Sequence, residues 1–288
     1  MSLSLAVRVL VLLGLVGAYS GESPRGQPLL EELFDGPVSP GGNSEGSLSP
    51  NLAWQDEPTT WSVREGKLEV TMDPETDYWQ KTYYVPDVSK TRGPFLGMSL
   101  GPGDVVMETC FTVRPQNLFD QAGLLLLASP ECWVKAGIEF SDGVPRLSVV
   151  FTSGASTWAT QPWPLDDVEE SDPSESGWST SVAVRLYRIG EDVVAEARYD
   201  PPGHRGNNCH DGIDGGNSGG GKWLHYGIGR VEGIARGARG GVTALAPTSK
   251  DGWEHAGSAS FDYLQVWRCP AVGRCFAHSA KPDDGDNG

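Results

Sequence analysis

Trp133, Lys135 and Glu139 are the residues of this chain whose types and spacing suit a binding or catalytic face. In "CWVKAGIEF" (132–140) they recur with a period of two. That period sets them, with Gly137, on one side of a β-strand and sends Val134, Ala136, Ile138 and Phe140 to the other. The apolar side reads as core. The polar side offers an aromatic ring, an ammonium, a gap and a carboxylate in a row. A ring of this kind stacks on the apolar face of a pyranose while fixed polar groups bond its hydroxyls. A carboxylate there is also half of what glycoside hydrolysis requires, because that reaction uses two carboxyl groups roughly 5–10 Å apart. The bland alternative is a solvated sheet face with cross-strand Lys–Glu pairs. Against it stands Trp133, a large aromatic in a polar row.

Neighbouring segments extend the row. In "RLSVVFTS" (146–153) Leu147, Val149 and Phe151 alternate toward the core, leaving Arg146, Ser148, Val150 and Thr152 on the other face. "FSDGVPR" is a tight hairpin signal, with Asp142-Gly143 at its left-handed positions, and would lay this strand beside residues 132–140. In "SVAVRLYRI" (181–189) Val182, Val184 and Leu186 face inward and Arg185 and Tyr187 outward, so Arg185 is expected on the same polar face.

The elements that must position these residues are strands. Besides those three, strand signals occur at 67–72, 104–113, 121–129, 192–200, 223–229, 241–247 and 260–269. With 38 Gly, 21 Pro and no convincing helix, the chain reads as an all-β protein of two antiparallel sheets packed face to face. A formal charge of -16 repels a phosphate backbone or an anionic lipid surface, so neither nucleic acid nor membrane is expected as a partner. The acidic run "LDDVEESDPSES" (165–176) and the tail 269–288 read as solvated segments.

At the N-terminus, Arg8 precedes an apolar run from Val9 to Val16 and the small residues Ala18 and Ser20. This predicts a secretory signal over 1–20, with an uncleaved anchor and a buried strand as rival readings. The run falls short of the roughly 20 apolar residues of a spanning helix. A secreted or lumenal protein follows, or a cytoplasmic one should the segment not be cleaved. Residues 21–50 read as a disordered Gly/Pro/Ser-rich linker in which "PLLEELF" forms at most one helical turn. The main domain is expected over 54–268, interrupted by a Gly-rich insertion at 201–222. Five cysteines fit an oxidising compartment and leave one unpaired. Cys269 and Cys275 are spaced to close a short loop, while Cys110 and Cys132 either pair or stay as buried thiols. No CxxC doublet is present, and His204, Cys209, His210, Asp211 and Asp214 sit among too many glycines to be organised, so no metal or cofactor is assigned.

The segments "TDYW" (76–79), "DQAGLLL" (120–126), "WVKAGIEFSDG" (133–143), "LSVVFTSGASTW" (147–158), "VRLYRIGEDV" (184–193) and "SFDYLQV" (260–266) together resemble the DUF1349, or regulation-of-enolase-1-like, family across residues 54–268. The resemblance implies a concanavalin A-like jelly roll with one concave sheet, and places Asp77, Trp79, Gln121, Trp133, Lys135 and Glu139 on or near that concave surface. The chain departs from the family pattern in its N-terminal extension, its Gly-rich insertion, the segment "VPDVSKTRGPF" (85–95) and Ala159, where a serine is usual.

Three functions compete. The first is a secreted carbohydrate-binding jelly roll whose ligand contacts are drawn from Asp77, Trp79, Gln121, Trp133, Lys135, Glu139, Arg146, Ser148, Trp158 and Arg185. The second is a glycoside hydrolase or lyase with Glu139 and Asp77 as its catalytic carboxyl groups. Two features weigh against it: an ammonium at Lys135 lowers a neighbouring carboxyl's pKa and weakens it as an acid, and none of the predicted strands carries the signature Glu-x-Asp-x-x-Glu. The third is a regulatory protein-interaction module.

Overall fold

A computed structural model describes residues 28–35, 48–163, 180–199, 222–249 and 256–269. The signal segment, most of the linker, the acidic run, the Gly-rich insertion with its candidate cation ligands, and the tail beyond Cys269 lie outside the described residues.

Numbered along the chain, the strands are β1 (Pro28–Glu32), β2 (Ala53–Gln55), β3 (Trp61–Arg64), β4 (Lys67–Thr71), β5 (Asp77–Gln80), β6 (Ser89–Arg92), β7 (Phe95–Ser99), β8 (Val105–Arg114), β9 (Gln121–Ser129), β10 (Cys132–Ser141), β11 (Val144–Ser153), β12 (Ser156–Pro162), β13 (Thr180–Ile189), β14 (Asp192–Tyr199), β15 (Lys222–Arg230), β16 (Arg239–Leu245) and β17 (Ser258–Arg268). No helix occurs among the described residues. The first sheet runs β15-β14-β13-β8-β17-β4-β3, with β1 also on β17; the second runs β12-β11-β10-β9-β16-β7-β2; β5 and β6 form a separate hairpin. Every pairing between strands is antiparallel. The architecture is the all-β sandwich of two antiparallel sheets expected from the alternation, in keeping with the jelly roll that the family resemblance implies.

The inner faces build one core. Val134, Ala136 and Ile138 of β10, Leu147 and Val149 of β11, and Val182, Val184 and Leu186 of β13 all lie in it, as their period of two predicts. Within the first sheet, Phe111 of β8 and its cross-strand partner Phe261 of β17 add rings to it that meet at 5.6 Å. The β10–β11 turn holds Asp142 at φ 55 and Gly143 at φ 76, two successive left-handed residues of the kind that a two-residue hairpin needs. That turn fixes the register that opposes Gly137 to Ser148 and Glu139 to Arg146.

Two sequence expectations need correction. "PLLEELF" contains a strand, not a helical turn: β1 adds to β17, buries Leu30, and is followed by a buried Phe34. The Glu32 carboxylate then accepts the amides of Phe34 and Ser49, tying the segment to the start of the main domain. A strand wins because half of β17's edge, from Leu264 to Trp267, lies beyond the reach of β4 and needs a partner. The cysteines also differ. Cys110 and Cys269 each belong to a disulfide, whereas Cys132 is a free thiol whose Sγ donates to Glu232 O, so Cys110 and Cys132 do not pair. Cys110 sits on β8 of the first sheet and Cys132 begins β10 of the second, on opposite halves of the sandwich.

Candidate functional site

The outer face of the second sheet carries the row that begins at Trp133. Register places Lys135 between Leu125 and Val150, Gly137 between Gly123 and Ser148, and Glu139 between Gln121 and Arg146. β12 continues the face with Ser156 and Trp158, opposite Thr152 and Val150.

The β5–β6 hairpin covers one end of this face. Its Tyr78 is fully buried and meets the Trp133 ring edge-on at 5.9 Å. Gln80 anchors the hairpin: its amide donates to Ser156 Oγ (2.9 Å) and its side chain to Pro130 O (3.0 Å). Trp133 is therefore 0% exposed, its indole donating to Pro130 O, at the centre of a small apolar cluster with Tyr78, Phe95, Leu125 and Leu127. The expectation that Trp133 contacts a ligand is overturned. Its place in a polar row is explained by a cover of four-residue strands, too short to stand out as alternation.

The same hairpin delivers Asp77. Lys135 Nζ lies 2.7 Å from Asp77 Oδ1, and both side chains are nearly buried. Beyond them the floor drops to the facing pair Gly123 and Gly137. A methyl on Gly137 would meet Ala122 O at 2.0 Å and one on Gly123 would meet Ala136 O at 2.2 Å, so only glycine permits this approach of the two strands. The result is a cleft with no side chain rising from its floor, walled by Gln121, Lys135, Glu139, Ser148 and Thr243.

At the far wall, Glu139 Oε2 accepts Ser148 Oγ (2.6 Å) and the Trp158 indole N–H (3.1 Å). Glu139 Oε1 and Asp77 Oδ2 receive no hydrogen bond from the described residues, and Lys135 Nζ uses one of its three donors. Trp158, 41% exposed, forms the rim and stands edge-on to Phe119 at 6.3 Å. Burial pushes the Glu139 carboxyl above the usual carboxylate range; Lys135, Ser148 and Trp158 pull it down, and Asp77 adds to the rise. The expected lowering by Lys135 is thus outweighed by desolvation. The ammonium lies against Asp77, on the other side of the cleft from the Ser148–Trp158 pair.

Six expected residues therefore come together: Asp77, Gln121, Lys135, Glu139, Ser148 and Trp158. Arg146 stands at the outer end and pairs with Asp142 at 3.1 Å. Trp79 lies on the hairpin, its indole donating to Thr82 O. Arg185 is a further correction, since β13 belongs to the first sheet. There its guanidinium bonds Glu108 and lies 3.7 Å from the Trp223 ring centre. Alternation alone gives a strand's faces, not the sheet it joins. Sequence reasoning missed Thr243 and the Gly123 half of the floor; Thr243 falls within a recognised strand, "GVTALAP", and lacked only its register. Among the described residues no three His, Cys, Asp or Glu side chains converge on a point.

Fold and cleft define a β-sandwich with a polar recess on one outer sheet face. The chain belongs to the family described as "Protein of unknown function (DUF1349)", which it matches over residues 54–203. It is 37% identical over 113 residues to "Regulation of enolase protein 1" of Saccharomyces cerevisiae, a match covering 37% of this chain and 52% of that protein. It is 30% identical over 125 residues to "Uncharacterized protein AN7484" of Emericella nidulans, covering 39% and 60% respectively. The matched part thus spans little more than half of these curated relatives. Among solved structures, a functionally unknown protein from Saccharomyces cerevisiae superposes with a TM-score of 0.57 at 20% identity, over 76% of this chain and 96% of that one. The "Xyloglucan PUL GH43B" protein of Bacteroides ovatus does so at 0.55 and 13% identity, over 83% and 39%. At such identities the likeness is one of fold.

Proposed function

We propose that this chain is a carbohydrate-binding module acting in the secretory pathway or outside the cell, with the cleft on the second sheet as its site. One observation carries the reading: polar atoms that take no hydrogen bond among the described residues, Glu139 Oε1 and two donors of Lys135 with Asp77 Oδ2 beside them, stand around a glycine floor next to an exposed tryptophan. A sugar presents hydroxyls that both donate and accept, along with an apolar ring face, and this recess supplies a counterpart to each. The resemblance of the fold to that of a GH43 protein is compatible with such a role and carries none of its weight.

The test is a glycan array probed with the folded protein, Glu139→Gln and Trp158→Ala. Loss of a charge-assisted hydrogen bond weakens binding by roughly 10- to 100-fold. Wild-type binding that drops in both variants supports the reading. A blank array, or variants that bind as wild type does, refutes it and shifts the weight to a regulatory protein partner of the kind the yeast relative's name suggests.

A second reading rests on the raised carboxyl of Glu139, a property suited to a general acid. Asp77 would then act as base or nucleophile, a role weakened by its ion pair with Lys135. Reducing-end release from a polysaccharide, abolished in Glu139→Gln, would establish it.

A further inference from the structure

We infer that the cleft's ligand, on the carbohydrate reading above, is a neutral oligosaccharide chain that runs past the cleft along β12 and across an aromatic tip at Tyr83–Tyr84. The tip is the turn of the β5–β6 hairpin. Tyr83 is 88% exposed and Tyr84 43%, yet neither hangs loose: their rings meet edge-on at 5.4 Å, and Tyr84 meets Trp79 at 6.2 Å. The Trp79 indole donates to Thr82 O at 2.9 Å. Lys81 at φ 60 and Tyr83 at φ 77 hold left-handed backbone that residues with side chains rarely adopt. Two exposed tyrosine rings held in order against a half-buried tryptophan, on backbone of this kind, are not what packing alone produces.

The tip is continuous with the cleft. Thr82 Oγ1 donates to Ser156 O at 2.6 Å, which docks the tip on the start of β12. Ser156 and Trp158 are successive outward residues of that strand, about 7 Å apart. Rings on the tip and at the cleft rim therefore flank one path, longer than a single sugar, with polar groups at one end and aromatic surface at the other. Charge selects the chain. The cleft holds two carboxyl groups against one ammonium, in a protein of net charge -16, so a uronate-rich polymer is disfavoured.

The experiment titrates neutral oligosaccharides of one to six sugar units, and uronate-containing counterparts, against wild type, Tyr83→Ala/Tyr84→Ala and Trp158→Ala. Circular-dichroism melts check that each variant is folded. Wild type is expected to gain about tenfold in affinity between short and long neutral chains, as two stacking rings would supply. The double tyrosine variant is expected to lose that gain and keep its affinity for the short ones, whereas Trp158→Ala weakens both. Affinity independent of chain length, or an unchanged double variant, overturns the inference and leaves the cleft reading in place. A preference for uronate chains overturns the charge argument. No binding at any length removes the cleft reading, and this inference with it.

Discussion

Asp120→Asn flattens the dependence of stability on pH between about pH 4 and pH 6. Asp120 is 0% exposed, beside Gln121 of the cleft wall. Its Oδ2 accepts the amides of Gln116 and Asn117, each at 2.9 Å, while Oδ1 is buried with no hydrogen bond among the described residues. Burial, only partly opposed by those bonds, pushes the carboxyl from its ordinary 3.8 up to about 6. For an acid with a raised pKa, the folded chain still holds the proton at pH values where the unfolded chain has released it. Stability therefore falls as pH rises from about 4 to about 6 and is level above. At 1.36 kcal/mol per pH unit, the rise from 3.8 to about 6 sets the loss at up to about 3 kcal/mol. Asparagine keeps an acceptor for the two amides and carries no charge at any of these pH values. Urea unfolding of both proteins at intervals across the range is the assay. The expected result is near-equal stability at the acid end and a widening advantage for Asp120→Asn toward neutrality. A difference that stays constant with pH would refute the reasoning.

Trp133→Ala is expected to cost about 3–5 kcal/mol of unfolding free energy, because it empties the centre of the Tyr78–Phe95–Leu125 cluster, and is read by chemical denaturation. Lys135→Met alone leaves the nearly buried Asp77 unpaired and costs about 3 kcal/mol or more; adding Asp77→Asn is expected to recover part of it, which a double-mutant cycle measures. The Cys132 thiol, its pKa raised first by burial and then by Glu191, is expected to react with iodoacetamide near pH 8 more slowly than an unstructured cysteine peptide, as timed mass spectrometry would show.

The long strands were legible because their faces are chemically distinct: β10, β11 and β13 alternate over ten residues each, and Asp142-Gly143 announces its own hairpin. The strands that escaped are mostly short or broken by glycine and proline, such as β5 (DYWQ), β7 (FLGMS) and β12 (STWATQP), and contain too few periods to be told from loop. That gap decided the site. Glu139, Lys135 and Ser148 lie on legible strands and were found. Whether a residue of their face is open or covered depends on β5 and β6, which is why the sequence does not reveal that Trp133 is buried; Arg185 is misplaced for the separate reason that alternation does not say which sheet β13 joins. Asp77 was reached through the family resemblance, since nothing in its own neighbourhood says that it folds back 58 residues onto Lys135.

Among the described residues β1 and β17 are the first and last strands in chain order, yet they are neighbours. On a ribosome, Leu30 and Phe34 emerge early and wait for residues 258–268 before they can be covered, roughly ten to fifty seconds at ordinary rates of elongation. β8, in the middle of its sheet, waits as well, because one of its two neighbours is also β17. The sandwich thus closes only once β17 has been made, and until then its growing sheet shows an unpaired edge. A premature stop before β17 would leave a chain with most of its strands made and no means of sealing its core, a substrate for chaperones and not for folding.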